Sequence, residues 1–113
     1  MKLPKLITTT KEGRRIYPIK LVVNNRQLNE VHIDPHYEEK HPYMNDEKIY
    51  EIVQVLNNRS FIPQDRQGSW EYFVSEPVLY RGRNYRLVWC LEDNSSFIGV
   101  RNCFYRKKYD QKK

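Results

Sequence analysis

The chain has 113 residues, a formal net charge of +6 and a sequence pI of about 9.4. Hydrophobic residues make up 39% and aromatic residues 13%, enough apolar surface to drive collapse, which excludes a disordered polyelectrolyte. The length fits a single domain (1–113) with its own core and no need of disulfide or metal staples, and no stretch approaches the roughly 18 apolar residues of a membrane span.

The charge is segregated. Residues 1–33 hold seven Lys or Arg against two acids, residues 34–58 two against six, and residues 81–113 nine against three. Two basic regions flanking an acidic helix suit a phosphate-binding surface with helices turned away from it. A merely solvated basic surface is the plain alternative. Residues 1–13 read as a loose leader; they are basic but lack the apolar region of a signal peptide. Cys90 and Cys103 form no CxxC, so the expected setting is a reducing cytoplasm with free thiols.

Residues 16–23 and 28–33 are β-rich and flank the polar NNRQ, which predicts a hairpin. Pro35 opens a short helix or turn through His36 and His41, and Pro42 interrupts it. Asn45 is a good N-cap with Asp46 and Glu47 behind it in the first turn. Ile49, Ile52, Val53 and Leu56 then fall on one helical stripe. Asn57 and Asn58 close the helix, and residues 61–69 read as a loop. Three strands follow at 70–80, 84–92 and 97–106, joined by turns at Gly82-Arg83 and at 93–96. Pro77 cannot donate to a ladder, so the first of these strands is an edge there or carries a bulge. The expected fold is α+β: an N-terminal β-hairpin, one or two helices, then a three-stranded antiparallel meander with the helix packed on one sheet face.

Side chains alternate across a strand. If Glu92 pairs with Phe97, then Tyr85, Leu87, Trp89, Leu91, Ile98, Val100, Asn102 and Phe104 share the apolar face. Arg86, Val88, Cys90, Gly99, Arg101, Cys103 and Tyr105 then share the other. Arg86 and Arg101 become diagonal neighbours, close enough to hold one phosphate by charge-assisted bonds; the alternative pairs each with a carboxylate such as Glu71 or Glu92. Cys90 and Cys103 lie on one face without being opposed, so no disulfide is expected. The tail from Tyr105 (107–113 being its basic end) interleaves Tyr105 and Tyr109 with Arg106, Lys107 and Lys108, a mixture that stacks on bases and holds phosphates. Arg81 and Arg83 extend the same groove. His32, His36 and His41 crowd ten residues, but their spacing and the lack of a thiol pair do not make a zinc set. No metal or cofactor is called for, and no nucleotide-binding or nucleophile motif appears.

The order of elements resembles the RelE-like and BrnT-like toxins of bacterial toxin–antitoxin pairs, small ribonucleases that share the barnase/RelE sheet. HIDPHYEEKHPYMNDEKIYEIV is similar to the strand–helix opening of BrnT-like proteins, with Lys40-His41 at the position of their Lys-His pair. RLVWCLEDNSSFIGVRNCFYRKKYD is similar to their closing hairpin, with Arg101, Arg106, Lys107 and Tyr109 at its basic end. The lysine-rich central patch of typical RelE toxins is not present, and the first hairpin is longer than the family needs. The resemblance implies metal-independent cleavage of mRNA by attack of the ribose 2′-OH. It implies His41 as base or acid, Arg86 and Arg101 as phosphate clamp, and Tyr105 or Tyr109 as stacking group or proton donor. It also implies a cognate antitoxin over the basic face and the ribosome as a further partner. The alternatives are a non-catalytic module binding RNA or DNA on the same face, a protein-interaction domain of the immunity or phage-accessory kind, and a gyrase inhibitor.

Overall fold

Asparagine sets the first turn. Asn24 and Asn25 take φ of 54° and 62°, a left-handed pair that asparagine tolerates and that matches the twist of a two-residue hairpin. They join β2 (Arg15–Val23) to β3 (Arg26–Ile33), with Val23 opposite Arg26. The turn is therefore tighter than the expected NNRQ. Arg81 and Gly82, at φ 50° and 80°, do the same between β5 (Trp70–Tyr80) and β6 (Arg83–Glu92). That turn lies one residue earlier than expected.

The computed structural model describes residues 3–109. Its strands form one sheet in the order β1-β2-β3-β7-β6-β5-β4, where β1 is Thr8–Thr9, β4 is Asp65–Gln67 and β7 is Phe97–Tyr105. β3 and β7 run parallel and every other neighbouring pair antiparallel. The α+β class stands, but the expected separate hairpin and three-stranded meander are parts of this seven-stranded mixed sheet. The leader is not loose throughout: Ile7 donates to Ile16 O at 2.8 Å, and Thr10 donates to Arg14 O at 2.8 Å. The loop at 61–69 contributes β4 in the same way. Both added strands are two or three exposed polar residues long, too short for an alternating pattern.

Two helices follow β3: α1 (Tyr37–Lys40) and α2 (Asp46–Val53), the latter continued by a 3₁₀ turn, Gln54–Leu56. Asn45 Oδ1 accepts from Lys48 N–H at 2.8 Å and caps α2. Its stripe of Ile49, Ile52, Val53 and Leu56 is fully buried with Val31, Ile33, Leu87, Trp89, Leu91 and Ile98. Each such side chain contributes about 1.5–3 kcal/mol on burial. Trp89 stacks on Phe73 at 4.0 Å, and its indole N–H donates to Ser75 Oγ at 3.0 Å. No helix among the described residues is long and apolar enough to cross a membrane.

One carboxylate ties the helix layer to the sheet. Asp46 opens α2 yet is buried. Its oxygens accept from Arg15 Nε at 2.5 Å and Nη2 at 2.9 Å, from the Tyr17 hydroxyl at 2.7 Å and from the Tyr37 hydroxyl at 2.7 Å. Burial alone pushes its pKa up, but the four donors outweigh that and hold it below the usual carboxylate range. Burial, then the bond to Asp46, pushes the Tyr17 phenol up to about 12. A carboxylate with a lowered folded pKa adds stability that is present above its unfolded pKa of about 3.9 and lost as pH falls through the folded value. Asp46→Asn, which leaves Arg15 only the exposed Glu38 as charge partner, is expected to cost about 3 kcal/mol in urea unfolding at pH 7. It should also remove this acid-side loss; equal unfolding midpoints for both proteins would contradict the role.

Candidate nucleic-acid interface

The register across β6 and β7 decides what shares a face. Leu91, Cys90 and Trp89 oppose Ile98, Gly99 and Val100, as expected. Past Val100 the ladder slips by one residue, so that Val88 opposes Asn102, Leu87 opposes Cys103, Arg86 opposes Phe104 and Tyr85 opposes Tyr105. Arg101 is the extra residue of this bulge, which re-aims a side chain at the cost of a ladder pair. Beyond it every expected assignment on β7 is inverted. Cys103 faces the helix layer and is fully buried, as does the partly buried Tyr105, while Asn102 and Phe104 turn to the opposite face. Cys90 and Cys103 therefore sit on opposite faces, which separates the two free thiols.

The face away from α2 is rich in aromatic rings. His32 stacks on Phe97 at 4.0 Å and 9°, and Trp70 meets the same ring edge-on at 6.0 Å. Tyr72, opposite Cys90, lies under the exposed Arg101, whose guanidinium carbon is 5.4 Å from the ring centroid. These side chains surround a hollow of about 230 Å³ that Arg14 and Asp34 also line. Gly99 and Cys90 lie in it; a Cβ on Gly99 would come within 2.8 Å of the Cys90 Sγ. The volume is below the roughly 300–1,000 Å³ of drug-sized ligand pockets and suits one planar ring. Asp34 takes the Arg14 guanidinium at 3.6 Å, and the His32 Nε2 lies 3.0 Å from Glu30 Oε1. No ion pair among the described residues engages Arg101.

Farther along the same face the cations are partly neutralised. Arg86 bonds Glu76 Oε1, and Arg106 Nε lies 3.3 Å from Glu76 Oε2. Two guanidinium groups on one carboxylate leave a net positive charge, and together they hold Glu76 below its usual range, Arg86 first. The Glu76 carboxylate in turn raises the Tyr109 phenol. Arg86 and Arg101 are thus not the diagonal pair expected, because the bulge puts Phe104 opposite Arg86. His41 stacks on Phe104 at 4.6 Å and 11° and touches Tyr43 edge-on. Burial, then the neighbouring Lys40 and His36, lower its pKa, so it is held neutral.

The remaining expected contacts divide between two sides of the sheet. Tyr105 lies on the helix side, tilted against Tyr85 at 5.9 Å, with Arg83 over its ring at 5.1 Å. Arg81 lies over Tyr80 and reaches Glu51 at 3.4 Å. Arg81, Arg83 and Tyr105 therefore do not extend the groove of Arg101. Lys107, Lys108 and Tyr109 form a 3₁₀ turn, with Lys108 Nζ 5.1 Å from the Tyr109 ring; the tail beyond 109 lies outside the described residues. Sequence reasoning missed Trp70, Tyr72, Phe97, His32 and Arg14. The alternation of Trp70 and Tyr72 on β5 was a usable signal, but the parallel pairing that adds His32 and Arg14 had none.

No family model, curated protein or solved structure matches this chain.

The missing side chain at residue 99 leaves room for the Cys90 sulfur on this face. Gly99→Ala is expected to destabilise by about 1–3 kcal/mol through overpacking on the Cys90 sulfur. The Gly99→Ala/Cys90→Ala double variant should lose less, by urea unfolding, than the sum of the two singles. Strict additivity would show that the two side chains do not compete for this space.

Proposed function

We propose that the protein binds single-stranded RNA on the sheet face away from α2. One observation carries this reading: Trp70, Tyr72, Phe97 and His32 converge with Arg101 around a hollow of one-ring size. Exposed bases stack on aromatic side chains of a sheet, each stack contributing about 1–3 kcal/mol, while guanidinium groups hold the phosphates between them. Arg86 and Arg106 continue the positive track past Phe104. The formal net charge of +6 favours encounter with a polyanion. Fluorescence anisotropy with a labelled single-stranded RNA should show binding that weakens steeply with salt. Tyr72→Ala and Arg101→Ala should each weaken it by roughly tenfold, and Arg101→Ala should also flatten the salt slope. No binding at low salt, or binding untouched by both substitutions, would overturn the reading.

A second reading, metal-independent RNA cleavage, is favoured by the Glu30–His32 pair beside Arg101. The imidazole would take the proton of a ribose 2′-OH, and the 2′-oxygen would attack the adjacent phosphorus. As the bond to the 5′-oxygen breaks, a proton returns to that oxygen, giving a 2′,3′-cyclic phosphate and a 5′-hydroxyl end. Arg101 would stabilise the charge that builds on the phosphate. The resemblance to RelE-like and BrnT-like toxins supports the same chemistry with His41 in the acid–base role. It would make the protein a cytoplasmic toxin, its RNA-binding face closed by an antitoxin and its target presented on the ribosome. Labelled RNA incubated in EDTA should yield cyclic phosphate ends. His32→Ala should abolish them and His41→Ala should spare them; the reverse pattern would return the acid–base role to His41, and cleavage in neither the free RNA nor translating ribosomes would leave a binding module.

A further inference from the structure

The helix side of the sheet holds a second, larger opening of about 900 Å³ between α2 and the tip of the β5–β6 hairpin. Four tyrosines line it: Tyr43, Tyr80, Tyr85 and Tyr105. Tyr85 is 4% exposed, and its ring packs between Tyr80 at 6.1 Å and Tyr105 at 5.9 Å. No hydrogen bond from its hydroxyl to another described residue is formed, and the oxygen is not sealed from the opening. A phenol so deeply packed normally finds a partner. Burial raises its pKa, with Arg83 and Tyr43 among the neighbours that act on it, so it is a neutral donor at pH 7.

Arg83 and Tyr43 offer further donors, while the exposed carboxylate of Glu47 also lines the opening. Tyr43 Oη accepts the Tyr105 N–H at 2.9 Å, which leaves its own proton to give. Arg83 is exposed, with its guanidinium carbon 5.1 Å from the Tyr105 ring centroid, and no ion pair among the described residues engages it. The second lining carboxylate, Glu51, is engaged by the Tyr80 hydroxyl and Arg81. Donors from β6 and from the segment before α2 thus line one opening with aromatic walls.

We propose that this opening is a binding site for a mononucleotide, a planar ring carrying a phosphate. The ring stacks among the tyrosines, and the phosphate takes the Arg83 guanidinium and the Tyr85 and Tyr43 hydroxyls. A tetrahedral phosphate uses donors arriving from three directions better than a flat carboxylate does. The volume falls within the range of ligand pockets. The site is on the opposite side of the sheet from Arg101, so it neither requires nor repeats the RNA face. The same chemistry is offered by a free nucleotide or by the 5′-phosphorylated end of a chain.

Isothermal titration with adenosine 5′-monophosphate, adenosine, inorganic phosphate and a 5′-phosphorylated dinucleotide tests this. The monophosphate should bind the wild-type protein at one site and more tightly than adenosine or phosphate alone. Arg83→Gln and Tyr85→Phe should each weaken it by roughly tenfold, whereas Arg101→Ala should leave it unchanged. Equal binding of the dinucleotide would identify chain ends as the source, and its exclusion would identify the free nucleotide; either supports the site. Loss of binding in Arg101→Ala with retention in Arg83→Gln would assign the nucleotide to the other face and overturn the proposal. So would no binding of the monophosphate, or equal binding of adenosine. Circular dichroism of Tyr85→Phe confirms that any loss is local, and Arg83→Gln, an exposed change, reports independently of folding.

Discussion

Parallel strands cannot be joined by a tight turn; the chain must travel the length of the sheet before the second strand can run the same way. In this protein β3 and β7 are that pair, with Glu30, Val31, His32 and Ile33 opposite Phe97, Ile98, Gly99 and Val100. Everything from residue 34 to residue 96 lies in the connection, including both helices and the β5–β6 hairpin. α2 lays its apolar stripe on one face and buries the centre of it. The other face is left to its own side chains. The same pairing brings His32 against Phe97 and carries Arg14 and Asp34 to the rim of the hollow beside Arg101. Without it the N-terminal hairpin and the C-terminal strands would be two small sheets, and the hollow would lack half its wall.

Two local devices refine that arrangement. Asp46 gathers Arg15, Tyr17 and Tyr37, so the start of α2, the start of β2 and α1 meet at one carboxylate. A charge buried this deeply is tolerated because four donors surround it. The bulge at Arg101 does the opposite: it gives up a ladder pair and turns a guanidinium out over Tyr72. The first device is closed and satisfied within the chain. The second leaves a cation over an aromatic ring with no ion pair among the described residues.

The sequence pattern carried the helix and its cap well. Asn45 and the stripe through Leu56 are local features, and the folded chain uses them as the spacing predicts. The β5, β6 and β7 segments were also legible, since each is long and alternating. Pairing between distant segments was not. A parallel ladder has no turn to announce it, and β1 and β4 are too short to show a period. The β7 bulge had no signal at all, yet it moved Tyr105 to the helix side and separated Arg86 from Arg101. A one-residue slip exchanges the faces of every later side chain. For that reason Arg101 fell on the expected face while Tyr105, four residues on, did not. The three histidines were visible as a group, but only the sheet order distinguishes His32, in the hollow, from His41, on Phe104.

Charge and aromatic content meet on the face away from α2, where we propose that RNA binds. The most direct measurement is an amide and side-chain chemical-shift map of isotope-labelled protein titrated with a short single-stranded RNA. The account predicts that the largest changes fall on His32, Trp70, Tyr72, Phe97, Gly99 and Arg101, with smaller ones at Arg86 and Phe104 and little along α2. Changes centred on α2 and the β5–β6 turn, or none on the sheet face at saturating RNA, would contradict it.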